Sequence, residues 1–245
     1  RHKMDVYLPA GRAATTTPLL LLIHGGGWTS GDKAEMAAFV DTLRRRLPAF
    51  AVVNMNYRLA GNGVNLFPAQ ENDVKLAVSF IHNKLAEWSI SDRWSVAGAS
   101  AGAHLAMLQA YKQTTPVKFR SVVNFFGPAN LVSFYNNPPN PLVPLLLFNV
   151  TGTTPAANLA LYQQSSPVSF VTAATPPTLL LHGGADIVVP VSQSQQLRNA
   201  LELAGVQHRF VLYPSGGHGD WDAATYTNAF NEVEAFLKTY HPSQR

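Results

Sequence analysis

The sequence predicts an α/β fold in which a mostly parallel sheet is covered by helices. Three observations predict it. Short, β-rich apolar runs alternate with helix-like stretches along the 245 residues. Hydrophobic side chains make up 47% of the chain, enough to build a sizeable core. The length fits one domain over residues 1–245, because α/β folds of roughly 200 to 250 residues often have a single core.

The elements follow in order. Residues 4–8 read as a first, antiparallel-type strand and residues 19–23 as the next. From Asp32, a plausible N-cap, to Leu47 the apolar positions Met36, Phe39, Val40, Leu43 and Leu47 recur near helical spacing. Residues 51–56 return to strand. Over residues 69–88, Val74, Ala77, Val78, Ile81 and Leu85 form one helical stripe, and residues 94–97 are again a strand. A small-residue helix over 101–111 precedes a strand over 121–126. Later come a strand over 179–182, a helix over 191–203, a strand over 209–213 and a helix over 225–240. Right-handed crossovers would stack these strands into one doubly wound sheet.

Residues 127–177 break the rhythm and hold most of the prolines, among them Pro138, Pro139, Pro141, Pro144, Pro155, Pro167, Pro176 and Pro177. An irregular interval of this length in a compact domain usually covers something, so residues 128–177 are expected to form a lid or pocket wall. A second small domain is the alternative, though the segment is short for its own core.

Composition excludes several chemistries. No cysteine is present, which removes disulfides, thiol nucleophiles and sulfur-ligated metal sites, and leaves the redox compartment open. Eighteen basic against fourteen acidic side chains give a formal charge of +4 with 13% charged residues, too sparse for a nucleic-acid protein. The single basic run, Arg44, Arg45 and Arg46, reads as a solvated helix face. The longest apolar run is far short of the roughly 20 residues that span a bilayer. The chain opens on Arg rather than Met, so an N-terminal piece is expected to precede it, and the low charge and missing cysteine are compatible with export. No H-E-x-x-H, carboxylate cluster or Rossmann G-x-G-x-x-G appears, so neither a metal nor another cofactor is expected. Gly26 to Lys33 resembles a P-loop only superficially, since Asp32 stands where the motif needs Lys.

The chemistry sits in G-x-S-x-G, Gly98-Ala99-Ser100-Ala101-Gly102, between a predicted strand and a predicted helix. A sharp turn there needs glycine on both sides and leaves the Ser100 Oγ exposed at the strand's end. The bland reading is a capping serine. The strand over 19–23 ends in His24-Gly25-Gly26-Gly27-Trp28, whose glycines let backbone N–H groups face a ligand where a carbonyl oxygen becomes negative. The N–H of Ala101, at a helix N-terminus, is a further expected donor. A serine hydroxyl needs a base and an orienting carboxylate. Asp186, after the strand over 179–182, and His218, in a Gly-rich loop after the strand over 209–213, follow in the order this topology requires. Asp186 could instead be an N-cap and His218 a plain loop residue.

With these motifs, and with Asp5 to Pro9, Asn56 to Leu59, Phe67 to Asp73, Asp92 to Leu105, Ser165 to Val168, Pro177 to Pro190 and Pro214 to Gly219, the chain resembles the α/β-hydrolases. Within them it is similar to short carboxylesterases related to hormone-sensitive lipase and to bacterial acetyl and feruloyl esterases. The resemblance implies a three-layer αβα architecture with Ser100 as nucleophile, His218 as base and Asp186 as orienter. It also implies Gly26, Gly27 and Ala101 as oxyanion donors and Trp28 as a wall of the acyl site, its own N–H standing in for a glycine donor.

The expected activity is hydrolysis of small acyl or aryl esters, including acetyl or feruloyl esters of carbohydrate, with no nucleic-acid partner. The apolar run Leu142, Val143, Leu145, Leu146, Leu147 and Phe148 is expected to bind the acyl or aryl group. The rivals are an amidase on the same residues, such as an arylformamidase or a small peptidase, and a non-catalytic binding protein. His104 is expected to pack or hydrogen-bond, His24 and His182 to brace loops, and Asp73 to pin a loop. Asp92 with Arg93 reads as a turn, and Asp220 and Asp222 compete weakly for His218. Asn149-Val150-Thr151 is a glycosylation sequon, meaningful only in a secretory eukaryotic host.

Overall fold

The structure is a computed structural model that describes residues 2–242. Seven strands form one sheet in the order β1-β3-β2-β4-β5-β6-β7. They are β1 (Met4–Tyr7), β2 (Leu19–Ile23), β3 (Ala51–Met55), β4 (Trp94–Ala99), β5 (Ser121–Phe125), β6 (Thr178–Gly183) and β7 (His208–Tyr213). Only the edge strand β1 runs antiparallel, pairing Met4 with Met55 and Tyr7 with Val52. Every other neighbour pair is parallel.

Strands buried on both faces read as unbroken apolar runs, and β2, Leu-Leu-Leu-Leu-Ile, is the plainest case. Alternation along each strand sends its side chains to opposite layers. Leu19, Leu21, Ile23, Val96, Val122 and Leu180 pack on one face against α2 (Ala69–Asn83), α4 (Ala101–Lys112) and α8 (Ser192–Leu203). Leu20, Leu22, Val52, Val123 and Leu181 pack on the other against α1 (Ala37–Arg46) and α9 (Ala223–Tyr240). Each such leucine, removed from water, contributes on the order of 2 kcal/mol, so the two layers rather than helix propensity hold the sheet. Among the described residues, no helix is long and apolar enough to cross a membrane.

The helical stripe expected over residues 69–88 divides into α2 and a short α3 (Leu85–Trp88), separated at Lys84. Asp32 caps a 3-10 turn, Lys33–Met36, which leads into α1. The Arg44 to Arg46 run lies along α1, where Arg44 sits over the Tyr7 ring and Arg46 pairs with Glu234.

The largest departure lies in residues 127–177. The prolines predict irregular chain, yet the segment contains α5 (Leu131–Asn136), α6 (Leu142–Thr151), α7 (Leu159–Gln164) and a 3-10 turn, Pro167–Phe170. The prolines punctuate these helices without breaking them. Pro141 caps α6, Pro144 lies in its first turn, and Pro167 opens the 3-10 turn, all places where a missing N–H costs no intrahelical bond. Asn130 and Asn158 cap α5 and α7 by accepting from the N–H groups of Ser133 and Leu161.

Candidate active site

Parallel strands in one sheet present their carboxyl ends at one edge, where ligands of such sheets bind. The turn Gly25 to Trp28 follows β2, Ser100 follows β4, Phe126 follows β5, Asp186 follows β6 and His218 follows β7. Five loops far apart in sequence therefore converge on one rim.

Ser100 turns from β4 into α4 with φ 53 and ψ −121, a left-handed backbone that is strained for a residue with a Cβ. The flanking glycines make the turn sterically possible. A Cβ on Gly98 would overlap the backbone of Gly102, and one on Gly102 would overlap the carbonyls of Ile23 and His24. Helix α4 can therefore start hard against β2, which aims Oγ at the rim. Its small residues and near-complete burial keep it fixed there.

Ser100 Oγ lies 2.9 Å from His218 Nε2, and His218 Nδ1 lies 2.7 Å from Asp186 Oδ2. A carboxylate only accepts, so Nδ1 carries the proton and donates to Asp186, leaving Nε2 to accept the hydroxyl proton of Ser100. The carboxylate is fully buried and the imidazole about one-fifth exposed. Burial alone would raise the Asp186 pKa. Hydrogen bonds from His182, His218 and the Val189 N–H outweigh it and hold the group well below the usual carboxylate range.

Asp186 is not a helix N-cap, since α8 starts at Ser192 with Val191 in the cap position, but it does bond its own loop. Oδ1 accepts from the N–H groups of Val188 and Val189, each at 2.8 Å, which is the local turn-capping role, while Oδ2 faces His218. His182, on β6, donates from Nε2 to the Val189 carbonyl at 2.9 Å and accepts the Ser194 hydroxyl at Nδ1, bracing the same loop. Asp222 accepts from the Thr225 N–H and caps α9. Asp73 takes Arg58 in a forked pair and His2 beside it.

A cavity of about 310 Å³ opens over Ser100. Gly25, Gly26, Gly27 and Trp28 wall one side, with Phe126, Phe134, Val143, Leu146, Val188 and Val189 around the rest. Only two residues of the apolar α6 run face it. Helical periodicity puts Val143 and Leu146 on the cavity, Leu147 in the core, and Leu142, Leu145 and Phe148 in solvent at 71%, 57% and 46% exposure. The expectation that the whole run binds an acyl group is corrected accordingly.

Gly26, Gly27 and Trp28 share a left-handed backbone, with φ of 102, 57 and 62. The first N–H groups of a helix have no intrahelical acceptor, and Ala101 holds such a position beside Ser100. Trp28 is 2% exposed, and its indole N–H donates to His104 Nδ1 at 3.2 Å. Any donation from Trp28 into the cavity is therefore through its backbone N–H. Phe126, with φ 43 and its ring 4.7 Å from that of His218, escapes a sequence reading because an aromatic at a strand end carries no chemical signature. Its place directly after β5, on the same rim, is the signal that could have found it.

A family model described as BD-FAE matches residues 4–201. The chain is 30% identical over 251 residues to the probable carboxylic ester hydrolase LipM of Mycobacterium tuberculosis, covering 94% of this chain and 56% of that protein. It spans about half the length of the curated relatives it matches. A truncated carbohydrate esterase from gut microbiota superposes with a TM-score of 0.83 at 25% identity, covering 97% of this chain and 90% of that one. A bifunctional GH43-CE protein of Bacteroides eggerthii gives 0.84 at 28% identity, covering 98% of this chain and 33% of that one. With the family match running through six of the seven strands, the chain belongs to the BD-FAE family, and its fold is that of the α/β-hydrolases.

Proposed function

We propose that the chain is a serine carboxylesterase acting on small acyl or aryl esters. The observation that carries this reading is the unbroken hydrogen-bond line from the Ser100 hydroxyl through His218 to Asp186. An imidazole held in this tautomer accepts the serine proton as Oγ attacks the ester carbonyl carbon. The carbonyl oxygen gains the negative charge and rests on the N–H groups of Gly26, Gly27 and Ala101. Collapse of the intermediate breaks the bond to the alcohol, which leaves with the proton held on His218 Nε2. Water then attacks the acyl-enzyme, gives its proton to the same nitrogen, and the acid departs as Ser100 recovers its hydrogen.

The cavity supports the substrate class. Its walls are apolar apart from Ser100, His218 and backbone groups, which suits an uncharged acyl or aryl group. The names of the relatives support ester hydrolysis, and the gut carbohydrate esterase supports esters of carbohydrate as the finer reading, of which acetyl and feruloyl esters are the candidates to test. A panel of p-nitrophenyl acetate and butyrate, acetylated and feruloylated sugars and N-formylkynurenine tests it. Ester turnover well above amide turnover is expected. Preference for the formamide would make the chain an amidase, and indifference to every substrate would make it a binding protein.

A further inference from the structure

We propose that His104 is a positioning residue for this reaction: through its bond to the Trp28 indole it fixes the Gly25 to Trp28 turn against the helix that carries Ser100. The proposal rests on the serine-esterase reading and adds to it a residue outside the Ser100, His218 and Asp186 line.

The turn needs such a hold. Glycine adopts left-handed backbone freely, but Trp28, at φ 62, does so at a cost that only its surroundings can offset. Its carbonyl accepts from the Ala60 N–H at 2.9 Å, and its indole is buried edge-on against His104 with ring centres 5.1 Å apart. The indole N–H donates to His104 Nδ1 at 3.2 Å, and His104 Nε2 meets the Ser165 carbonyl at 2.7 Å.

The two partners dictate the state of the ring. An indole only donates and a carbonyl only accepts, so Nδ1 is bare and Nε2 carries the proton. A second proton on Nδ1 would point at the indole N–H. The ring is wholly buried, and burial, against the pull of Ser165 and Glu71 and with the push of Lys112, lowers its pKa to about 4. The neutral ring is thus the state that fits.

The backbone places this ring at the site. His104 lies one turn into α4, and its N–H donates to the Ser100 carbonyl at 3.1 Å. His104 therefore joins three segments: the glycine turn that lines the cavity, through Trp28, the turn at Ser100, through its own backbone N–H, and the end of α7, through Ser165. Donors that stabilise a developing oxyanion must be held within a fraction of an ångström, and a displacement of about 1 Å can cost on the order of 100-fold in rate.

The test separates the two ends of the ring. His104→Gln keeps a donor near the Nε2 position and removes the acceptor for Trp28, His104→Asn keeps an acceptor at the Nδ1 position, and Trp28→Phe deletes the indole N–H. With p-nitrophenyl acetate, His104→Gln and Trp28→Phe should each lower kcat about tenfold with KM within about twofold. The double variant should lose no more than the worse single variant, and His104→Asn should recover most of the loss. Single variants with lower melting temperature but kcat within twofold of wild type would overturn the proposal, as would full additivity in the double variant. Should His104→Gln not fold, the kcat of Trp28→Phe decides alone. Ser100→Ala, run alongside, keeps the two claims apart. Wild-type turnover in Ser100→Ala would sink the esterase reading and the proposal with it, whereas a silent Ser100→Ala beside fully active His104→Gln and Trp28→Phe sinks the proposal alone.

Discussion

Asp186 meets His218 with one carboxylate oxygen and its own loop with the other: Oδ2 lies 2.7 Å from Nδ1, and Oδ1 takes the N–H groups of Val188 and Val189. The same side chain shapes the turn and orients the imidazole. In Asp186→Asn the amide oxygen can still cap the turn, which puts the amide NH2 against His218 and favours the wrong tautomer. Turnover should fall by about 10³ to 10⁴-fold with the fold retained, read as kcat beside a circular dichroism spectrum. A loss below tenfold would mean that another group orients His218.

Asp220 and Asp222 supply the matching control. Asp222 caps α9 and neither side chain is bonded to His218. Asp220→Asn and Asp222→Asn should leave kcat within about twofold, since Asn also caps a helix. A large loss in either, measured on the same ester, would reassign the carboxylate.

Leu146 lines the cavity over Ser100, where the proposed acyl group would lie. Its methyl carbons lie 3.3 and 3.4 Å from where a Cβ on Gly27 would stand, so it packs directly over the glycine turn. Leu146→Ala should enlarge the cavity beyond its present 310 Å³ and shift preference toward longer chains. The ratio of kcat/KM for hexanoate over acetate should rise at least about threefold, at about 1 kcal/mol or more in stability. An unchanged ratio would place the acyl group elsewhere.

Stability should fall on mild acidification. His104 has its pKa lowered from 6.5 to about 4 by burial, and His241 likewise by burial and by Arg93 and Arg120. Between these values the unfolded chain holds a proton that the folded chain does not, so stability decreases as pH falls from about 6.5 to about 4. For His104 the full loss is on the order of 3 kcal/mol. Asp186, held low in the folded state, adds its own loss at still lower pH. Urea midpoints across pH 4 to 7 should show this slope, and His104→Gln should flatten it. A flat wild-type profile would contradict the buried, neutral imidazoles.

Much of this was legible because each signal is local. The β2 run is apolar at every position because both faces of the strand are covered, and the Gly98 to Gly102 turn needs its glycines where backbone meets backbone. The order of Ser100, Asp186 and His218 follows from strand order. What escaped is not local. The helices α5, α6 and α7 hide in a proline-rich interval, with Pro141 and Pro144 at the start of α6 and asparagine caps on α5 and α7, and the α6 run divides by helical face between cavity, core and solvent. The meeting of Trp28 with His104 joins residues 76 positions apart, and neither residue type announces the other.

Fluorophosphonate labelling followed by intact mass and peptide mapping bears most directly on the proposed nucleophile. One adduct per chain, on Ser100, is expected in the wild type, with no adduct and at least a 10³-fold loss of p-nitrophenyl acetate hydrolysis in Ser100→Ala. Labelling at another residue, or hydrolysis in Ser100→Ala at the wild-type rate, would contradict it.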